Sequence, residues 1–352
     1  MGWKRTLHFG KDTVLGLDIG SSAVKMVVLG KSKAGYSVAG ASTARIAVDD
    51  KSNGDRRKRS VEAIRQCFAR MGVKTKCAVC GVSGQDVAVR DFEFAPMPDA
   101  EIAAAVSLEA SQVCPFNVTD MAVDYQVIPD GDARTKGVLV AATNAVVTGK
   151  TQLARQAGLK CVLTDVDGLA LLNCHDGLAE GNETSATNRS VAILNVGASH
   201  TTLAIMDHNG WPFIRDMNHG GDDVITQIAA LNDTSIETVT GALFDGVAAV
   251  EWSLRDSLEK ACRKLIADVA GTLRYYAAQA KSTDVDRLLV CGGFALAEGF
   301  VELLNRRLGT EVVLWNPFDS PRTKTGRRCE AICAEAGPAL AVAAGLAMRS
   351  MT

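Results

Sequence analysis

One stretch near the start of the chain, LGLDIGSSAVKMVVLGKSKAGY (Leu15–Tyr36), returns half a chain later as ILNVGASHTTLAIMDHNGW (Ile193–Trp211). Each copy reads as an apolar strand, a tight turn and a second strand. In the alignment Asp18 meets Asn195, Gly20 meets Gly197, Ser22 meets Ser199 and Lys25 meets Thr202. The apolar residues Val24, Met26 and Val28 fall on Thr201, Leu203 and Ile205. A single turn of this kind is a weak signal, since any β-hairpin can carry it. Two copies, each opening an α/β unit, imply a duplicated domain with two similar lobes.

The turn residues suit anions. Gly20 lets the backbone bend close to a ligand with no Cβ in the way. The amides and hydroxyls of Ser21 and Ser22 can then form an anion-binding concavity, and Lys25 adds a point charge. Asp18, at the strand end, is placed to hold a cation or its waters. Gly197, Ala198 and Ser199 repeat the turn in the second copy. Two such hairpins facing each other would clamp the phosphates of a nucleotide, although the same residues also serve ordinary hairpins.

A third segment agrees with this. RLLVCGGFALAEGFVELLNRRLG (Arg287–Gly309) is an apolar strand ending in Gly292-Gly293, with a helix expected from about Ala297. A strand, a Gly-Gly turn and a helix N-terminus let a flat ring or sugar lie against bare backbone. There is no GxGxxG, so a dinucleotide fold is not indicated. HGGDDVITQIAAL supplies another pair, Gly220-Gly221, at the start of a helix.

The net charge of −2 gives no global reason to expect nucleic acid. The longest apolar run, near 336–348, is short and broken by Gly and Pro, so no membrane span is expected there. Among ten cysteines, Cys77 and Cys80 form one CxxC with no second at metal-site spacing. They sit in an apolar strand, CAVCGV, and read as reduced thiols, which favours a cytoplasmic location.

Phosphate hairpin, second phosphate hairpin and late Gly-Gly turn, in that order, resemble the actin, Hsp70 and sugar-kinase superfamily. Within it the chain is most similar to the PilM family of type IV pilus assembly, which is related to the division protein FtsA. The resemblance runs nearly end to end. It is carried by GLDIGSSAVKMVVL, SLEASQVCPFNVTDMAVDYQVI, VAATNAVVTGKTQLARQAGLKCVLTDVDGLALLN, IRDMNHGGDDVITQIA and the closing GPALAVAAGLAMRSM.

The resemblance implies an α/β chain with a two-lobed actin/Hsp70-like ATPase fold. It implies a small FtsA/PilM-type subdomain inserted near 95–143. The first lobe then takes 1–94 and regains 144–175 and 335–352. The second lobe takes 190–220 and 286–334, with a helical subdomain at 221–285. Also implied are ATP and Mg2+ between the lobes, with Asp18 toward the metal, and a partner, the N-terminal cytoplasmic tail of the inner-membrane protein PilN. PilO and the assembly ATPases are further expected partners. The protein would then reach the membrane only indirectly.

The family usually carries Asp where this chain has Asn195. Asparagine keeps the size and one acceptor oxygen but loses the charge. The second hairpin is therefore expected to bind nucleotide while hydrolysis is weak or absent.

From Val250 to Ala280 apolar residues recur at helical spacing. By family position this stretch brings a side chain to the adenosine, with Lys264 and Asp268 as candidates. In the inserted subdomain Ile102, Val106, Glu109 and Val113 follow helical spacing up to Pro115 and Phe116. These five positions, Phe116 included and Pro115 not, are the expected groove for the PilN tail; the alternative is that the apolar ones only hold the subdomain to its lobe. The competing function is a catalytic kinase or ATPase of the superfamily. That activity needs a general base aimed into the cleft, for which Asp165 and Asp167 are candidates. An FtsA-like filament former is disfavoured by the chain's end, GLAMRSMT, which lacks a basic amphipathic helix.

Overall fold

The computed structural model describes residues 14–32, 35–47, 56–128, 134–178, 190–207, 209–246, 252–279, 285–349 and 351. The chain begins with β1 (Leu15–Ile19), β2 (Ala23–Ser32), β3 (Gly35–Arg45), α1 (Arg56–Met71) and β4 (Cys77–Val82). A small subdomain follows: β5 (Val87–Phe94), α2 (Asp99–Val113), β6 (Met121–Val127) and β7 (Thr135–Thr143). α3 (Asn144–Gln156) and β8 (Lys160–Val166) lead into α4 (Asp167–Leu178). The second half runs β9 (Ser190–Val196), β10 (Thr201–Met206), β11 (Pro212–Met217), α5 (Gly221–Leu231), α6 (Ile236–Phe244), α7 (Leu254–Ala261) and α8 (Arg263–Ala277). It closes with β12 (Val285–Cys291), α9 (Phe300–Arg307), β13 (Glu311–Leu314), β14 (Thr323–Thr325), α10 (Glu330–Ala336) and α11 (Ala341–Met348).

Three sheets result. The first has the order β14-β3-β2-β1-β4-β8, the second β11-β10-β9-β12-β13, and the subdomain sheet β5-β7-β6. In the first sheet β1 is buried on both faces, as its unbroken apolar run requires. Leu15, Leu17 and Ile19 join Ala63, Ile64 and Ala154 under α1 and α3. On the opposite face Gly16 lets α11 lie on the strand: a Cβ there would stand 1.9 Å from the Ala343 carbonyl oxygen. α11 meets α4 just as closely, through Gly345 against Ala170. One hydrophobic cluster joins Val79, Leu169, Ile193, Ala204, Leu289 and Val342, so the two helices bind both large sheets into one core. By length and apolarity the helical run Glu330–Met348 could cross a membrane, but 67% of it is buried in the fold, as expected of a core helix.

The structure moves several sequence-derived boundaries. β5 pairs with β7, so the subdomain starts at Val87 instead of 95. β14 pairs with β3, so the chain is back in the first lobe well before 335. α1, expected from sequence over about Val61–Met71 after a charged loop, begins at Arg56 and takes Arg56–Arg59 into its first turn. The stretch 250–280 holds two helices, because the Ser253 hydroxyl caps α7 and the chain turns at Cys262 before α8. Residues 176–190 lack apolar periodicity and read from sequence as a loop; they fall mostly outside the described residues.

Candidate functional site

The two hairpins are built alike. β1 and β2 place Asp18 opposite Lys25; β9 and β10 place Asn195 opposite Thr202. Each turn is closed by the same backbone bond, from Gly20 N–H to the Ala23 carbonyl and from Gly197 N–H to the His200 carbonyl, both 3.0 Å. In the first hairpin Lys25 Nζ lies 3.0 Å from Asp18 Oδ2. The Lys150 ammonium reaches the Ile19 carbonyl, and Arg56 Nη2 donates to the Ser21 carbonyl at 3.4 Å. The Ser22 side chain is exposed at the tip.

In the second hairpin Thr202 Oγ1 donates to Asp216 Oδ1 at 2.5 Å, and Ser199 Oγ lies 3.3 Å from His200 Nδ1. The start of α5 packs under this turn. Gly221 N–H donates to the Gly197 carbonyl at 2.9 Å and Asp222 N–H to that of Ala198 at 2.8 Å. Gly220 is required there, because a Cβ would stand 2.4 Å from the Ala198 carbonyl oxygen. Asp223 Oδ2 accepts from Gly220 N–H at 2.8 Å, a carboxylate at a helix N-terminus.

The lobes meet at Ser83, Asp167 and His200. Ser83 Oγ donates to Asp167 Oδ2 at 2.5 Å and lies 2.9 Å from His200 Nε2. Burial raises the Asp167 carboxyl to about 7; the Asp18 charge adds to this and Lys150 opposes it. Burial also lowers the His200 imidazole, against the pull of Asp216 and Asp18. Of the two candidate bases, Asp167 is therefore the one in the cleft, and its Oδ1 is buried without a hydrogen-bond partner. Asp165 is instead paired with Arg349 at 3.0 Å beyond the end of α11.

Gly292 closes the third wall. Its φ of +94° belongs to glycine, and a Cβ would stand 2.4 Å from the Val196 carbonyl oxygen and 2.6 Å from Asn195 Oδ1. A Cβ on Gly293 would meet nothing within 4 Å, leaving bare backbone toward open space. Bare turns at Gly20, Gly197 and Gly293 fit a nucleotide between the lobes. No group of three His, Cys, Asp or Glu side chains able to hold a metal occurs among the described residues. Asp18, paired with Lys25, is the carboxylate at the first hairpin, so a magnesium here would take most of its ligands from phosphate and water.

Lys264 and Asp268 pair with each other at 2.7 Å as an i,i+4 pair on an exposed face of α8. Ile102 and Val106 are buried with Ala110 against Phe92, Leu139 and Ala141, so they hold α2 to its own sheet and present nothing to a peptide. Phe116 packs at the edge of the same cluster, Glu109 is half-buried and Val113 is exposed. A separate groove of about 570 Å³ lies between β5 and β11, with Arg90, Asp91, Trp211, Phe213, Arg215 and Tyr275 among its lining residues. Both strands are sheet edges. Ser83, His200 and Asp216 were not singled out from the sequence. Ser83 follows a buried strand in CGVSG, a faint turn signal, and the other two carry no pattern of their own.

Residues 16–351 match the family described as type IV pilus assembly protein PilM. The chain belongs to the PilM family. The structure of a PilM-PilN type IV pilus biogenesis complex is similar over 97% of this chain and 100% of that one, at 22% identity and a TM-score of 0.80. The ethanolamine utilization protein EutJ from Carboxydothermus hydrogenoformans aligns over 97% of this chain and 91% of its own, at 14% identity and a TM-score of 0.56. A diol dehydratase-reactivating factor in nucleotide-free form aligns over 96% and 99%, at 11% identity and a TM-score of 0.53. Both lobes and the inserted subdomain are thus those of the PilM branch of the two-lobed actin-like fold.

Proposed function

We propose that this PilM-family chain is an ATP-binding adaptor of type IV pilus assembly. It holds MgATP between its lobes and the N-terminal cytoplasmic tail of an inner-membrane PilN protein in the groove between β5 and β11. The observation that carries the nucleotide reading is the pair of hairpins closed by one and the same backbone bond, with the Gly292-Gly293 turn beside them. Magnesium would supply charge neutralisation at the phosphates. The chain's own groups bind and orient: Gly20 and Gly197 bring backbone to the phosphates, Lys25 and Lys150 offset their charge, and Gly293 leaves room for the sugar or base.

Asn195 removes one carboxylate that could position a water, so hydrolysis is slow. The alternative, an active ATPase or kinase, is favoured by one feature. Asp167, with its raised pKa and its bond to Ser83, has the properties of a general base. Recruitment through the tail would hold the protein at the cytoplasmic face of the inner membrane, alongside PilO and the assembly ATPases, with no lipid anchor required.

For the tail, the support is the groove itself. Two free strand edges can pair with an extended peptide backbone, and aromatic side chains between them can take apolar ones. In calorimetry, a synthetic PilN tail from the same organism is expected to bind at micromolar strength or tighter, about −8 kcal/mol. Tyr275 is 57% exposed, so Tyr275→Ala should leave the fold intact. It should weaken the peptide about tenfold, the scale of losing one aromatic anchor. Undiminished binding by that variant would place the tail outside this groove.

A further inference from the structure

Four consecutive residues lie between β4 and β5, and each is held by a different element. Ser83 bonds to Asp167 at 2.5 Å and to His200 at 2.9 Å. The Gly84 N–H donates to Asp216 Oδ2 at 2.7 Å. Asn218 Nδ2 donates to Gln85 Oε1 at 3.2 Å, and the Asp86 carbonyl accepts from Thr143 N–H at 3.0 Å. His200, Asp216 and Asn218 belong to the second lobe; Thr143 belongs to the subdomain. Gly84 has φ +97°, and its N–H and carbonyl are both engaged, the carbonyl by Val87 N–H at 3.0 Å. The chain therefore turns from the first lobe into the subdomain while gripped by the second lobe.

This segment is also a shared wall. Ser83 and His200 face the nucleotide cleft beside Asp167, while Gly84, Gln85, Asp216 and Asn218 line the groove. Asp216 touches both sides, since its other oxygen accepts from Thr202 of the second hairpin at 2.5 Å. A displacement of the second hairpin cannot leave β5 in place without breaking these bonds. We propose that residues 83–86 form a clasp that couples the two sites, so that nucleotide in the cleft and peptide in the groove each strengthen the binding of the other. The inference rests on the function proposed above. The sign follows from ordering. A ligand bridging both hairpins fixes the spacing of the lobes, and through the clasp it fixes β5 against β11. The peptide then meets a groove with less freedom left to lose. Reciprocity is required by linkage.

The test is the ratio of peptide dissociation constants measured without and with saturating MgATP, using the full chain and the synthetic tail described above. A ratio divides out any change a variant makes to either affinity alone. In the unmodified protein it should be about five or more, the lower end of ordinary coupling between sites. Ser83→Ala should bring it near one, and Ser83→Thr, which keeps the hydroxyl, should restore it. Asn218→Ala breaks the clasp at its outer end and should lower the ratio without touching the cleft. If both ligands bind the unmodified protein and the ratio is one, the clasp is wrong while the proposed function stands. A Ser83→Ala protein with an unchanged ratio overturns the clasp in the same way. Failure of either ligand to bind at all overturns the functional reading and the clasp together.

Discussion

Gly292→Val is expected to remove nucleotide binding and to lower stability by about 2–4 kcal/mol. Two effects add. The residue sits at φ +94°, where a β-branched side chain costs about 1–3 kcal/mol. The new Cβ would also stand 2.4 Å from the Val196 carbonyl oxygen, 2.6 Å from Asn195 Oδ1 and 2.7 Å from Val196 N, inside any contact distance. Relief requires the end of β12 to move away from β9, and that end is where the second hairpin begins. Binding fails because the third wall of the cleft moves with the strand. Gly293→Ala separates the causes. Its backbone is in the right-handed helical region at φ −65°, and a Cβ meets nothing within 4 Å. Stability should stay within about 0.5 kcal/mol of the unmodified protein, while nucleotide affinity falls because the methyl group occupies the open face. Denaturant unfolding with and without MgATP reads both quantities. A Gly292→Val protein with unchanged stability and an intact response to ATP would contradict the assignment.

Asp167→Asn is expected to stabilise the protein at neutral pH. The carboxyl is raised to about 7, first by burial and then by the Asp18 charge. A carboxyl raised in the folded state binds more protons there than in the unfolded chain between about pH 4 and pH 7. Its contribution to stability is therefore full below about pH 4 and is lost as pH rises toward 7. A three-unit shift, in which the opposing effects of Lys150 and Ser83 are already included, corresponds to at most about 4 kcal/mol. Asparagine carries no charge to bury and can still accept from Ser83. Melting curves from pH 4.5 to 8 should show the unmodified protein losing stability with rising pH more steeply than the variant. Parallel curves would mean that Asp167 is solvated and that its environment is misjudged.

The repeat was legible because its chemistry is local. A D/N-x-G turn between two strands fixes its own geometry, and the structure gives both copies the same register, Asp18 opposite Lys25 and Asn195 opposite Thr202. Glycines that admit close approaches, such as Gly220 and Gly292, were likewise visible as pairs at strand and helix ends. Contacts between segments far apart in the chain were not. Ser83, His200 and Asp216 come together only because β4, the second hairpin and β11 converge, and no spacing in the sequence encodes that. The helix at 99–113 misled for a different reason. Its apolar stripe at Ile102 and Val106 is what any helix needs to cover a sheet, and periodicity does not say whether the surface opposite belongs to the same chain. The groove is lined by side chains from strands and helices of different parts of the fold, so no periodic pattern announced it.

The central claim is that the cleft binds MgATP for use as a ligand more than as a fuel. The measurement that tests it most directly is thermal unfolding with and without millimolar MgATP, run beside a steady-state assay of phosphate release. At a ligand concentration about 100 times the dissociation constant the folded state gains about 2.7 kcal/mol, a rise of about 3–4 °C for a chain of this size. Phosphate release should stay far below the ordinary enzyme median of about 10 per second. A melting temperature that does not move at millimolar MgATP would contradict the account, and a clear shift accompanied by turnover near that median would show a working ATPase in place of a binding site.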